Sequence, residues 1–152
     1  MTLTIRPPTA ADLPTIVEFN RRLAQESENK TLDVEVLTCG VRAVLGDPMR
    51  GVYFLAERDG QVVGQLMITL EWSDWRDGWL WWIQSVYVRA DARQGGVFRA
   101  LFQHVLDEAK RRGDVAGLRL YVEDHNAAAR ATYHRLGMIE AGYRVLERCP
   151  LG

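Results

Sequence analysis

The chain has 152 residues, 47% hydrophobic and 26% charged, with nineteen Lys and Arg against twenty Asp and Glu. That size suits one domain over residues 1–152, and the near-neutral charge argues against a nucleic-acid partner. No apolar run approaches the roughly 18 residues that cross a bilayer, so no membrane partner is expected. The first residues lack the apolar centre of a signal peptide, and Cys39 and Cys149 have no CxxC spacing, so a cytoplasmic protein is expected.

Leu3 and Ile5 alternate with polar residues up to Pro7-Pro8, which predicts a short strand. Thr9 and Asp12 have the spacing of a capping box, and Ile16, Phe19 and Leu23 then recur at helical period to about Gln25. Asp33 can cap a second helix carrying Val34, Leu37, Val41, Val44 and Leu45, stopped by Gly46 and Pro48. Val52 to Arg58 and Val62 to Leu70 flank Asp59-Gly60, a strong two-residue hairpin signal. Trp79 to Val88 reads as the next strand, and Gly95 to Arg112 as the longest helix, with its basic end before Gly113. Leu118, Leu120 and Val122 alternate as a strand, Asn126 to Leu136 reads as a helix, and Met138 to Arg148 as a last strand. The order β-α-α-β-β-β-α-β-α-β predicts an α/β fold: a mixed, mostly antiparallel central sheet with helices on both faces.

Two stretches carry chemistry. In the first, the strand ending Val86-Tyr87-Val88 runs through Arg89, Arg93 and Gln94-Gly95-Gly96 into the long helix. A glycine turn opening a helix aims several backbone N–H groups at one point, where the helix end adds partial positive charge. Ringed by Arg89, Arg93 and Arg99, that point suits a pyrophosphate, although a tight βα turn would use glycines too. Neither a Walker A sequence nor GxGxxG is present. The second stretch has Asn126 opening a helix and Tyr133-His-Arg-Leu-Gly137-Met138 closing it.

Together, Arg93-Gln94-Gly95-Gly96-Val97-Phe98 and the Asn126 to Met138 block resemble the GNAT superfamily of acyl-coenzyme A-dependent N-acyltransferases. The predicted element order suits that fold over essentially the whole chain. The resemblance implies acetyl-coenzyme A as cosubstrate, held by Gln94, Gly95, Gly96, Val97, Phe98 and Arg99 at its pyrophosphate, with Arg93 nearby for phosphate charge. It implies that Val86, Tyr87 and Val88 pair with the pantetheine amides as an added strand, that Asn126 faces the pantetheine arm, and that Tyr133 stands beside the sulfur. Phe98 departs from the family, which has Gly or Ala there, so its ring is expected to point away from the phosphates.

Acyl transfer of this kind needs few side chains. A neutral amine attacks the thioester, a backbone N–H near Val86 can hold the oxyanion, and a thiolate leaves. Glu71, at the end of its strand, is the candidate base, directly or through water, because the family often places a carboxylate there. Asp74 and Glu123 are weaker alternatives, and a solvated strand-end charge explains Glu71 equally well. Tyr133 as acid works uphill on reference pKa values, and a core tyrosine is its other reading.

All five tryptophans lie between Trp72 and Trp82. Trp72, Trp75 or Trp82 can wall an acceptor pocket, or the group can pack helices or form a dimer interface; a homodimer is left open. His104, His125 and His134 lack ligand spacing, so no metal is expected. The sequence thus reads as an N-acetyltransferase acting on an amine, with a non-catalytic coenzyme A-binding module as the alternative.

Overall fold

Five strands and four α-helices make up the computed structural model, which describes residues 2–152. The strands are β1 (Leu3–Arg6), β2 (Val52–Arg58), β3 (Gln61–Ser73), β4 (Gly78–Val88) and β5 (Val115–Leu120); the helices are α1 (Leu13–Glu28), α2 (Val34–Gly46), α3 (Val97–Arg112) and α4 (Ala127–Arg135). The described chain divides into two compact units, the first ending at Leu120 and the second running from Tyr121 to Gly152.

In the first unit the five strands form one sheet in the order β1-β2-β3-β4-β5. β1 to β4 pair antiparallel, and β5 joins β4 in parallel. The mixed sheet expected from the element order is therefore present. Asp59 and Gly60, at φ 52° and 75°, make the hairpin turn between β2 and β3, as their sequence requires.

Alternation along β2 sorts the helices onto the two faces. Tyr53 and Leu55 point to one face, where they form a core with Ile16 and Val17 of α1 and Val41 of α2. Phe54 points to the other face, where its ring meets His104 of α3 at 5.3 Å. On that same face Gly64 lies so close to α3 that a Cβ there would stand 2.8 Å from Val97 Cγ1. Val97, Leu101 and Val105, at helical spacing, supply the fully buried seam of α3.

The caps behave as their chemistry dictates. Asp33 accepts from the amides of Glu35 and Val36 at the start of α2. Asp12 accepts from the Thr9 amide at 2.7 Å and also binds Arg6 through both oxygens. That Arg6 partnership, with the Thr9 bond, holds the Asp12 carboxyl at about 2 despite its burial.

In the second unit α4 is capped by Asn126, whose side chain accepts from the Ala129 amide at 3.0 Å. The helix ends at Gly137, φ 90°, with the Met138 amide bonding back to the Tyr133 carbonyl. The last strand, expected over Met138 to Arg148, is absent: residues 138–148 form no ladder. Gly142 sits there at φ 82°, a left-handed turn in mid-segment, so the apolar alternation never becomes one straight edge.

Candidate active site

Two features of the first unit define the site. β4 is irregular near its end. Gln65 pairs with Tyr87 and Met67 with Gln84, so two residues, Ser85 and Val86, oppose the single residue Leu66. Ser85 takes φ 50°, the left-handed conformation of a bulge, without being glycine. Gln65, fully buried, donates its amide to the Ser85 carbonyl at 3.0 Å and so fixes the kinked peptide.

The parallel ladder also stops here. Ile83 with Leu120 is the last β4–β5 pair, whereas β4 continues to Val88. Among the described residues, Gln84 to Val88 therefore offer an edge with no ladder partner on that side. An extended amide chain can add there as a strand does. This is where the sequence placed Val86, Tyr87 and Val88.

The second feature is the loop into α3. Gln94 (φ 64°) and Gly96 (φ 79°) are both left-handed, with Gly95 between them, a pattern that turns successive amides toward one concavity. The first helical bond runs from the Ala100 amide to the Gly96 carbonyl. The amides of Val97, Phe98 and Arg99 lie ahead of that bond, in the first turn of the helix. Gly95 is confined: a Cβ there would stand 3.3 Å from the Ala92 carbonyl and 3.4 Å from the Arg58 guanidinium. Phe98 turns toward Phe102 one helical turn on, with ring centroids 6.1 Å apart.

Charge around the loop differs from the sequence expectation. Arg89 is bound to Asp91 and Gln61. Arg93 is bound to Glu26 of α1 and to the Val88 carbonyl. Two of the three arginines thus already face a carboxylate, while Arg99 is exposed in the first turn of α3. Arg58, which the sequence reading did not single out, donates to the Gly95 carbonyl at 3.3 Å. Thirty-seven residues separate that pair, and no local pattern signals it.

Glu71 sits elsewhere. Its carboxylate accepts from the Trp82 indole at 2.7 Å and from Arg119 at 3.4 Å. Arg119 also lies over the Trp82 ring, 5.8 Å from its centroid. Glu71 pairs with Leu80 and lies five residues along β3 from Leu66, the residue opposite the bulge, which is about 17 Å along the strand. Direct proton transfer needs roughly 3 Å, so a proton released beside Val86 itself would reach Glu71 through water.

The tryptophans do not gather either. Trp72 packs edge-on against Trp79 at 5.1 Å, on the face that carries α3. Trp82 lies on the opposite face beside Glu71, and Trp75, at the turn between β3 and β4, is 89% exposed. Alternation on the strands puts Trp72 and Trp82 on opposite sides of the sheet, so at most one of the two faces any one pocket. A cavity of about 520 Å³ opens between the starts of α1 and β2 and the end of α2, around Leu13, Leu45 and Tyr53. No carboxylate or histidine lines it, and the loop and bulge contribute nothing to it.

Of the second-unit residues, Asn126 has its side-chain oxygen committed to capping α4. Tyr133 is partly buried, and that burial pushes its phenol above the ordinary value.

An irregular strand with one free edge, followed by an amide-lined turn at the head of a helix, is an arrangement that can take a pyrophosphate and the amide chain attached to it. Residues 16–138 match the profile of the acetyltransferase (GNAT) family. The chain belongs to that family. GNAT acetyltransferases use acetyl-coenzyme A as cosubstrate. A solved structure described as a possible acetyltransferase from Clostridium difficile 630 is 44% identical, covers 97% of each chain and superposes with a TM-score of 0.92. The L-methionine sulfoximine/L-methionine sulfone acetyltransferase of Salmonella typhimurium is 31% identical over 147 residues, covering 89% of this chain and 79% of that protein. The alanine N-acetyltransferase of ribosomal protein bS18 from Escherichia coli K12 is 45% identical over 60 residues. That match spans 40% of the length of each of the two proteins.

Proposed function

We propose that this GNAT chain transfers the acetyl group of acetyl-coenzyme A to an α-amino group, at a peptide N-terminus or on an amino acid derivative. The observation that carries the transfer is the coincidence of the Ser85–Val86 bulge with the end of the β4–β5 ladder. There a thioester arm can lie against Val86, Tyr87 and Val88 while Gln94 to Arg99 hold its pyrophosphate. The amide of Val86 donates to the oxyanion as the amine attacks, and the thiolate leaves as coenzyme A. The family match crosses the division at Leu120, which supports reading both units as one catalytic domain.

The α-amine follows from proton bookkeeping and from the relatives. An N-terminal α-amine has a pKa near 7.7–8, so roughly one in seven is neutral at pH 7, against fewer than one in a thousand lysine amines. Such an acceptor attacks without a strong base. Glu71, about 17 Å along the sheet from the bulge, takes the released proton through water. Both sequence relatives are named for acceptors that carry an α-amino group. The family resemblance gives Tyr133 the role of acid; burial raises its phenol pKa, so transfer to a thiolate is uphill and the contribution modest.

The test is a mass-spectrometric screen of α-amines, peptides and lysine amines with acetyl-coenzyme A. Acetylated α-amines formed faster than acetylated lysine side chains at pH 7 are the expected result. Consumption of the thioester with lysine alone would overturn the acceptor class, and no acetylation of any amine would point to a coenzyme-binding module.

A further inference from the structure

Arg93 sits where the family places a positive charge for phosphate, yet it faces the other way. Its Nε donates to the Val88 carbonyl at 2.9 Å, and one terminal nitrogen donates to Glu26 Oε1 at 2.5 Å. Its guanidinium also lies over the Tyr87 ring, 5.4 Å from the centroid. The second Glu26 oxygen accepts from the Tyr87 hydroxyl at 2.7 Å. Tyr87 is itself buried and packs on Phe19 of α1 at 5.2 Å. Both oxygens of one carboxylate thus tie the end of α1 to the last residues of β4 and to the residue that opens the loop.

We propose that Glu26 is a positioning residue for the coenzyme: it holds Arg93 as a strut between β4 and the loop, and Arg93 does not bind phosphate. Gln94, next in the chain, must hold a left-handed conformation without being glycine, a backbone strain that its surroundings have to offset. Three fixed contacts on Arg93 supply that constraint from one side, and Arg58 on the Gly95 carbonyl supplies it from the other. The geometry suits arginine and not lysine. A planar guanidinium can donate from Nε and a terminal nitrogen to two acceptors at once and still stack on a ring. This inference rests on the coenzyme reading given above.

Calorimetry with coenzyme A, with the unaltered protein as reference, tests it. Absence of binding by the unaltered protein would sink the coenzyme reading itself. Given binding there, Glu26→Gln is expected to weaken coenzyme A about tenfold and to raise the KM for acetyl-coenzyme A alike, with kcat at saturation within about twofold. Arg93→Lys should lose as much although it keeps the charge. The double variant should be no worse than either single one, because all remove the same strut. Tyr87→Phe deletes the hydroxyl bond to Glu26 together with the hydroxyl's contact with Arg22, and should shift KM in the same direction by less, which keeps the test open should Glu26→Gln fold poorly. Tighter binding in Glu26→Gln would overturn the proposal, since it would mean Arg93 had been freed onto the phosphates. Unchanged affinity in Glu26→Gln, or full affinity in Arg93→Lys, would overturn it as well.

Discussion

Glu71 and Val86 lie on neighbouring strands of the same sheet, yet five residues of β4 stand between Val86 and Leu80, the residue opposite Glu71. That separation bears on two mechanisms for losing the amine proton. A positioned base contributes about 10²–10⁴-fold, whereas a remote carboxylate reached through water contributes far less. Glu71→Gln is therefore expected to lower kcat/KM by less than about fivefold near neutral pH. A loss above a hundredfold in steady-state assays would show that the carboxylate reaches the amine after all. The Trp82 indole bond survives this substitution, because glutamine keeps an acceptor oxygen.

Gly64 offers a link between packing and coenzyme binding. A Cβ there would meet Val97 Cγ1 at 2.8 Å and the Tyr87 carbonyl at 3.2 Å. Val97 begins α3, so relief of that clash moves the helix end that presents the loop amides. Gly64→Ala should destabilise the protein by about 1–3 kcal/mol and weaken coenzyme A binding together. Denaturant unfolding and calorimetry read the two effects, and a variant unaltered in both would remove the close approach as a requirement.

Gly64 also illustrates what the sequence could and could not reveal. Caps at Asp12 and Asp33, the Asp59-Gly60 turn and the helical stripe of Val97, Leu101 and Val105 are local patterns, and the structure realises each of them. The family motif located the loop because glycine there answers a local backbone need at Gly96. Ser85, by contrast, takes a left-handed conformation with no glycine to announce it, so the bulge was not legible. Glu26 and Arg58 reach the loop across 67 and 37 residues, and nothing in their neighbourhoods marks them. Residues 138–148 carry the apolar alternation of a strand without forming one, because periodicity states which faces could be buried and not which edge will pair.

Asp12 makes stability depend on acid in a defined window. Its carboxyl is held at about 2 by Arg6 and Thr9, below the unfolded value of 3.8. A folded pKa below the unfolded one stabilises the protein above the unfolded value, and the gain disappears as pH falls through the folded one. The contribution is on the order of 2 kcal/mol, full above about pH 5 and gone near pH 2. Asp12→Asn should therefore lower the unfolding free energy at pH 7 by about that amount, and the two proteins should converge toward pH 2. Equal stability at pH 7 would deny the pair its role in fixing the start of α1.

Gln65 separates the bulge from the stability of the sheet around it. Its amide nitrogen supports the Ser85 carbonyl, while its own Oε1 is buried with no hydrogen-bond partner among the described residues. Leucine has nearly the same volume and removes both the useful bond and the unsatisfied oxygen, so these two costs oppose each other. Gln65→Leu should change the unfolding free energy by less than about 1 kcal/mol. Without its anchor the Ser85–Val86 peptide is free to rotate, and the Val86 amide then no longer aims at one point. Displacements of about 1 Å at a reacting centre cost up to a hundredfold, so kcat should fall at least tenfold while the affinity for coenzyme A holds. An unaltered kcat in a well-folded Gln65→Leu protein would show that the oxyanion is held by some other group.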